Sequence, residues 1–155
     1  MQALRLVVLV SAVCLAHAYR SGAPPEACSD MVPQHHTPPQ TGRFPYTVRA
    51  SATKAAGTAI VTVTGPETFK GFMVQCRVGN APVGKFINPP SNVKVIDCGS
   101  GKGTTATHND DSEKKEIVLT WKAPPNLKEK VTCLATVAKN GGEFWVRQPA
   151  NVISF

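Results

Sequence analysis

KGFMVQCRVG (70–79) and KVTCLATVAKNGGEFWVRQ (130–148) decide how this chain folds. In the first stretch Phe72, Val74, Cys76 and Val78 fall on one side of an extended strand, with Met73, Gln75 and Arg77 on the other. The second holds two such runs on either side of Asn140-Gly141-Gly142. Asn and Gly reach the positive φ angles that tight hairpin turns require, so this segment predicts a β-hairpin.

The same period of two recurs outward from these segments. It is present in PYTVRASA (45–52), TAIVTVTGP (58–66), GKFINP (84–89), NVKVIDCG (92–99), KEIVLTWKAPP (115–125) and NVISF (151–155). Prolines sit between the runs and β-branched residues within them, as strands demand. No helical periodicity extends beyond a turn, and no internal repeat is present. Eight or nine short strands of this kind predict an all-β antiparallel sandwich, with a closed barrel as the alternative on the same pattern. It is not an ordinary immunoglobulin domain: Trp121 lies just ahead of the second strand cysteine instead of soon after the first. Residues 19–45 are Pro- and Gly-rich and read as an extended lead-in.

Residues 1–18 read as an export leader, with Arg5 ahead of an apolar run and Ala16-His17-Ala18 as the cleavage site. The run falls short of the ~20 apolar residues that span a bilayer, and no second apolar segment follows. The expectation is a secreted, extracellular protein of one domain, 19–155. Cys14 leaves with the leader, so four of the five cysteines remain. An even number in an oxidising compartment argues for two disulfides. Cys76 and Cys133 lie mid-strand on apolar faces, where two facing sheets would bring them together. Cys28, in the lead-in, and Cys98, at a strand end, lie at the periphery. The expected pairs are therefore Cys76–Cys133 and Cys28–Cys98, one of three connectivities. Each closes a long loop, worth roughly 4 kcal/mol in the chain-entropy picture.

Against 17 Lys and Arg stand 10 Asp and Glu, and loss of Arg5 leaves an excess of six cations. No basic run of the nucleic-acid type appears, and export argues against a nucleic-acid partner. Anionic cell envelopes, acidic glycans and lipid head groups remain as partners. No asparagine is followed two residues later by Ser or Thr, so N-glycosylation is not expected.

With these landmarks the sequence resembles the reelin (reeler) domain family along essentially the whole mature chain. The matching residues are YRSGAPPEACSDMVPQHH (19–36), TFKGFMVQCRVG (68–79), VKVIDCG (93–99), ATHND (106–110), IVLTWKAPP (117–125) and VTCLATVAKNGGEFWV (131–146). Its nearest likeness is to the small, single-domain, secreted branch of insect defence proteins. The resemblance implies an immunoglobulin-like β-sandwich and a role in innate immunity. It also implies binding of microbial envelope glycans and lipids such as lipopolysaccharide, lipoteichoic acid or β-glucan. Nodulation, contact with blood-cell surfaces or direct antimicrobial action would follow from that binding. Other relatives join this domain to a membrane cytochrome with ferric reductase activity, a module this chain lacks.

His35, His36 and His108, with Asp110 or Asp111, are the residues from which a metal set would be drawn. They lack ligand spacing, so no metal or cofactor is expected. No nucleophile motif or separated carboxylate pair appears, so no catalytic residue is expected and the chain is not read as an enzyme. Lys114, Lys115, Lys122, Lys128 and Lys130 lie in or beside two consecutive loops and are the candidates for meeting envelope phosphates; the alternative is a scatter of solvated lysines. Trp145 is either buried or a projecting, ligand-binding aromatic. A second function, that of an extracellular structural or matrix-adhesion module, fits the same features. Membrane insertion is not expected.

Overall fold

The computed structural model describes residues 20–155, so the leader assigned to 1–18 lies outside the described residues. One 3₁₀ turn, Pro25–Cys28, precedes ten strands. These are β1 (Thr47–Ala52), β2 (Thr58–Phe69), β3 (Gly71–Val78), β4 (Ala81–Pro82), β5 (Lys85–Ile87), β6 (Val93–Ile96), β7 (Thr105–His108), β8 (Lys114–Lys122), β9 (Val131–Asn140) and β10 (Glu143–Ile153). They form two antiparallel sheets, one ordered β1-β2-β8-β5 and the other β10-β9-β3-β7-β6, with β4 added beside β3.

The alternation seen in the sequence fills the space between the sheets. Val61 and Val63 of β2 stand opposite Leu119 and Ile117 of β8, and all four are buried. From the facing sheet come Val74, Val131 and Val137, also buried. Each such side chain contributes ~1.5–3 kcal/mol on leaving water. Trp121 is fully buried, and its Nε1–H donates to the Val83 carbonyl at 3.0 Å, which satisfies the one polar atom the core indole carries. Where β1 and β10 meet across the sandwich, Asn151 acts as a strand substitute. Its side-chain amide accepts from the Ala50 N–H at 3.0 Å and donates to the Ala50 carbonyl at 2.7 Å.

Three features differ from the sequence reading. β7, TATH, carries no apolar alternation, yet it pairs with both β3 and β6. The runs EFWVRQ and NVISF join into one edge strand, β10, whose three register shifts accommodate Pro149. Cys76 and Cys133 are direct partners on β3 and β9 of one sheet, with Cα atoms 3.8 Å apart. Their bridge ties neighbouring strands and does not span two facing sheets.

Residues 20–45 form a third layer. This arm crosses the outer face of the larger sheet in strand order. Ala23 N–H donates to Thr107 Oγ1 on β7 at 3.0 Å. Gln75 Nε2 and Arg77 on β3 donate to the Cys28 carbonyl at 3.0 and 3.2 Å. Thr136 Oγ1 on β9 donates to the Met31 carbonyl at 2.8 Å, and Gln40 N–H donates to Phe144 on β10 at 2.8 Å. The Cys28–Cys98 disulfide fastens the arm in its first half. Gly22 seats the start of the arm: at φ +102° it lies so close to β7 that a Cβ would come within 2.2 Å of the His108 carbonyl oxygen.

Candidate functional site

The five lysines singled out in the sequence divide between the two ends of β8. That strand has nine residues, so at ~3.3 Å per residue its ends lie about 25 Å apart. Lys114 and Lys115 begin it, whereas Lys122 ends it and Lys128 and Lys130 follow in the next loop.

Lys114 does not belong to a binding surface. Its side chain is 2% exposed. The Nζ donates to the carbonyls of Lys70 at 3.1 Å and Ser112 at 2.7 Å, and to Asp110 Oδ1 at 3.0 Å. An ammonium has three protons to give, and these partners use them. Lys114 therefore organises the turn 108–114. Hydrogen bonds from the Ser112 hydroxyl, from Lys114 and from the Ser112 N–H hold the Asp110 carboxyl down at about 2.

Trp145 is a core residue, 6% exposed, and edge-on to Phe44 and Tyr46 at 6.1 and 5.9 Å. Its Nε1 is buried without a partner among the described residues, so it lends packing instead of a polar contact.

At the far end of β8, a cationic group assembles that includes two lysines the sequence did not single out. Lys85 of β5 stands directly opposite Lys122. Lys54 lies in the β1–β2 turn, which touches this end through an Ala123 N–H to Gly57 carbonyl bond of 2.7 Å. With Lys128 and Lys130 these make five exposed lysines. Among the described residues none of the five ammonium groups lies within ion-pair distance of a carboxylate, although the Glu129 carboxylate sits among them and accepts from the Lys128 backbone N–H at 3.2 Å. Like charges directly opposed across two strands destabilise the pair unless an anion joins them.

At the other end, a cleft of about 250 Å³ opens between the arm and the larger sheet. Ala23, Pro24, Ala27 and Met31 line it from the arm, and Met73 and Ala138 from the sheet. His35 and His108 border it, and Arg20, Lys70 and Asp111 line it too. His108 Nδ1 accepts from the Phe72 N–H at 3.1 Å. His35 packs edge-on against Phe144, with ring centroids 5.1 Å apart. Burial, then the neighbouring His108 and His36, push the His35 pKa below its ordinary value. His36 is exposed, and among the described residues no three His, Cys, Asp or Glu side chains converge as a metal set would.

These arrangements suit binding by charge and by apolar contact. Among the described residues, no helix is long and apolar enough to cross a membrane.

Comparison with known proteins places this architecture. The family model for the Reeler domain matches residues 26–155. A relative from Hyphantria cunea, named "Putative defense protein Hdd11", is 37% identical over 166 residues, covering 99% of this chain and 100% of its own. Ferric-chelate reductase 1 of Mus musculus is 31% identical over 157 residues, covering 97% of this chain and 26% of the reductase. The crystal structure of a human F-spondin reeler domain (fragment 2) superposes with a TM-score of 0.60 at 18% identity, covering 82% of this chain and 98% of that one. That likeness shows a shared fold. Matched from within its 3₁₀ turn through its last strand, this chain belongs to the Reeler domain family.

Proposed function

We propose that the protein is a secreted defence protein that recognises microbial surfaces by gripping anionic envelope polymers at the lysine-rich end of the sandwich. The observation that carries this reading is the register opposition of Lys85 and Lys122, at the end of the sandwich whose loops carry Lys54, Lys128 and Lys130. Two lysines paired in register, neither within ion-pair distance of a carboxylate among the described residues, offer a seat for a phosphate or carboxylate. The full-length insect relatives named as defence proteins support the biological setting. Two disulfides suit an oxidising, extracellular compartment.

The mechanism is binding without covalent chemistry. Lipoteichoic acid and lipopolysaccharide carry repeated anionic groups that several lysines engage at once, whereas uncharged β-glucan gives this end nothing to hold. The test is a pull-down with whole bacteria and purified lipoteichoic acid across a salt series, comparing the natural chain with K85E/K122E. The expected result is at least tenfold weaker binding for the variant and a flatter salt dependence, because fewer screened contacts remain. Equal binding by the two proteins at every salt concentration removes the lysine end from the mechanism. Tighter binding to an acidic matrix glycan than to any envelope polymer replaces defence with matrix adhesion.

A further inference from the structure

The cleft under the arm lies at the opposite end from Lys85 and Lys122, and an inference drawn from it does not depend on the proposed function. We infer that this cleft is a binding site for one acyl chain of an anionic amphiphile.

The lining argues for the chain. Ala27, Met31 and Met73, which pack together as one buried cluster, line it with Ala23 of the arm and Ala138 of the sheet. Polar groups along this floor are already engaged: Thr136 Oγ1 donates to the Met31 carbonyl and accepts from the Arg147 N–H. A ligand here therefore gains by leaving water and not by competing for hydrogen bonds. Volume sets the scale. An apolar cavity of ~150 Å³ takes one benzene ring. A cleft of about 250 Å³ takes more than a ring, and a single flexible chain fills it without the breadth that fused rings or two chains need.

The mouth argues for the charge. Lys70 is exposed and has no carboxylate within ion-pair distance among the described residues. Arg20 is also exposed and lies 3.3 Å from Asp111, so two cations share one acid there. A phosphate or carboxylate head group supplies the missing negative charge. His35 borders the same space, and its Nδ1 is buried with no partner among the described residues.

The walls are fixed before any ligand arrives. One wall is the central strand pair β3–β9, and the other is held by Cys28–Cys98 and by Arg77 and Thr136 donating to arm carbonyls. Little ordering is then left to oppose binding.

Isothermal titration of the full chain with dodecyl phosphate, laurate and dodecyl maltoside, each below its micelle-forming concentration, tests the inference. Saturable binding of dodecyl phosphate at one site per chain is expected. Ala138→Trp, which fills the cleft, should weaken it at least tenfold, and Ala23→Leu provides a second filling variant should the first not fold. Lys70→Glu should weaken dodecyl phosphate about fivefold and leave dodecyl maltoside unchanged. Dodecyl phosphate binding tighter than laurate supports a phospholipid-type source, and the reverse order supports a free fatty acid. K85E/K122E should bind dodecyl phosphate as the natural chain does, which keeps failure at the lysine end separate from failure here. No saturable binding, or binding that survives both filling variants unchanged, overturns the inference.

Discussion

The two faces of β3 solve the same problem by different physics. On the inner face, Phe72 and Val74 pack against the opposite sheet by shape and loss of water, and Cys76 beside them is bridged to Cys133 of the neighbouring strand. On the outer face, Met73, Gln75 and Arg77 are just as buried, at 3%, 0% and 3% exposed. There, however, directional bonds do much of the holding: Gln75 and Arg77 donate to the Cys28 carbonyl, and Arg77 also donates to Ser29 at 3.0 Å. Apolar packing tolerates many partners, whereas a guanidinium aimed at two particular carbonyls tolerates one. The inner face therefore makes the sandwich, and the outer face specifies where the arm lies. Because the arm forms one wall of the cleft, the outer face also creates that site.

Substitutions at the two faces should fail differently. Trp121→Ala removes the largest inner side chain and should lower global stability by ~3–5 kcal/mol in chemical denaturation. Replacing Cys28 and Cys98 together by Ala opens a link across 70 residues, worth up to ~4 kcal/mol in the chain-entropy picture. Its loss should appear first as proteolytic cleavage within 20–45, before the sandwich unfolds. Arg77→Met leaves the Ser29 carbonyl without its donor and should cost ~1–3 kcal/mol. That loss should show as faster exchange of arm amides with little change in β9. If Arg77→Met instead accelerated exchange evenly through both sheets, the contrast between the faces would disappear.

The smallest effect expected is an acid-dependent one. The Asp110 carboxyl is held at about 2 in the folded chain, below its ordinary 3.8. A depressed carboxylate stabilises above the unfolded value and loses that contribution as pH falls through the folded one. The stability gap between the natural chain and Asp110→Asn should thus be full at pH 6, shrink below about pH 4 and vanish only below about pH 2. A gap that stays constant across that range would show that Asp110 acts through shape and not charge.

The inner face was legible in the sequence because alternation is a local signal. Phe72, Val74 and Cys76 declare their side of β3 with no knowledge of the rest of the chain. The outer face was not, because Gln75 and Arg77 look solvated until a carbonyl 47 residues away is known to lie over them. β7 was hidden for the same reason: Thr105 and Thr107 are polar in the sequence, yet they are buried as partners of Gln75 and Ala23. The lysines show the limit of reading neighbours along the chain. Lys114 and Lys122 flank one run, but the run is an extended strand that carries them to opposite ends. Lys85 joins Lys122 only through strand register, for which no local pattern exists.

Native-state hydrogen exchange at the Ala23 and Gln40 amides tests most directly the claim that the arm is a fixed third layer. Both N–H groups reach the sheet, one to Thr107 and one to Phe144. Strong protection in the natural chain, lost in Arg77→Met while the Val74 and Ala135 amides stay protected, is the predicted result. Exchange of Ala23 and Gln40 at the rate of an unstructured peptide in the native protein would contradict it, and the cleft would lose its outer wall.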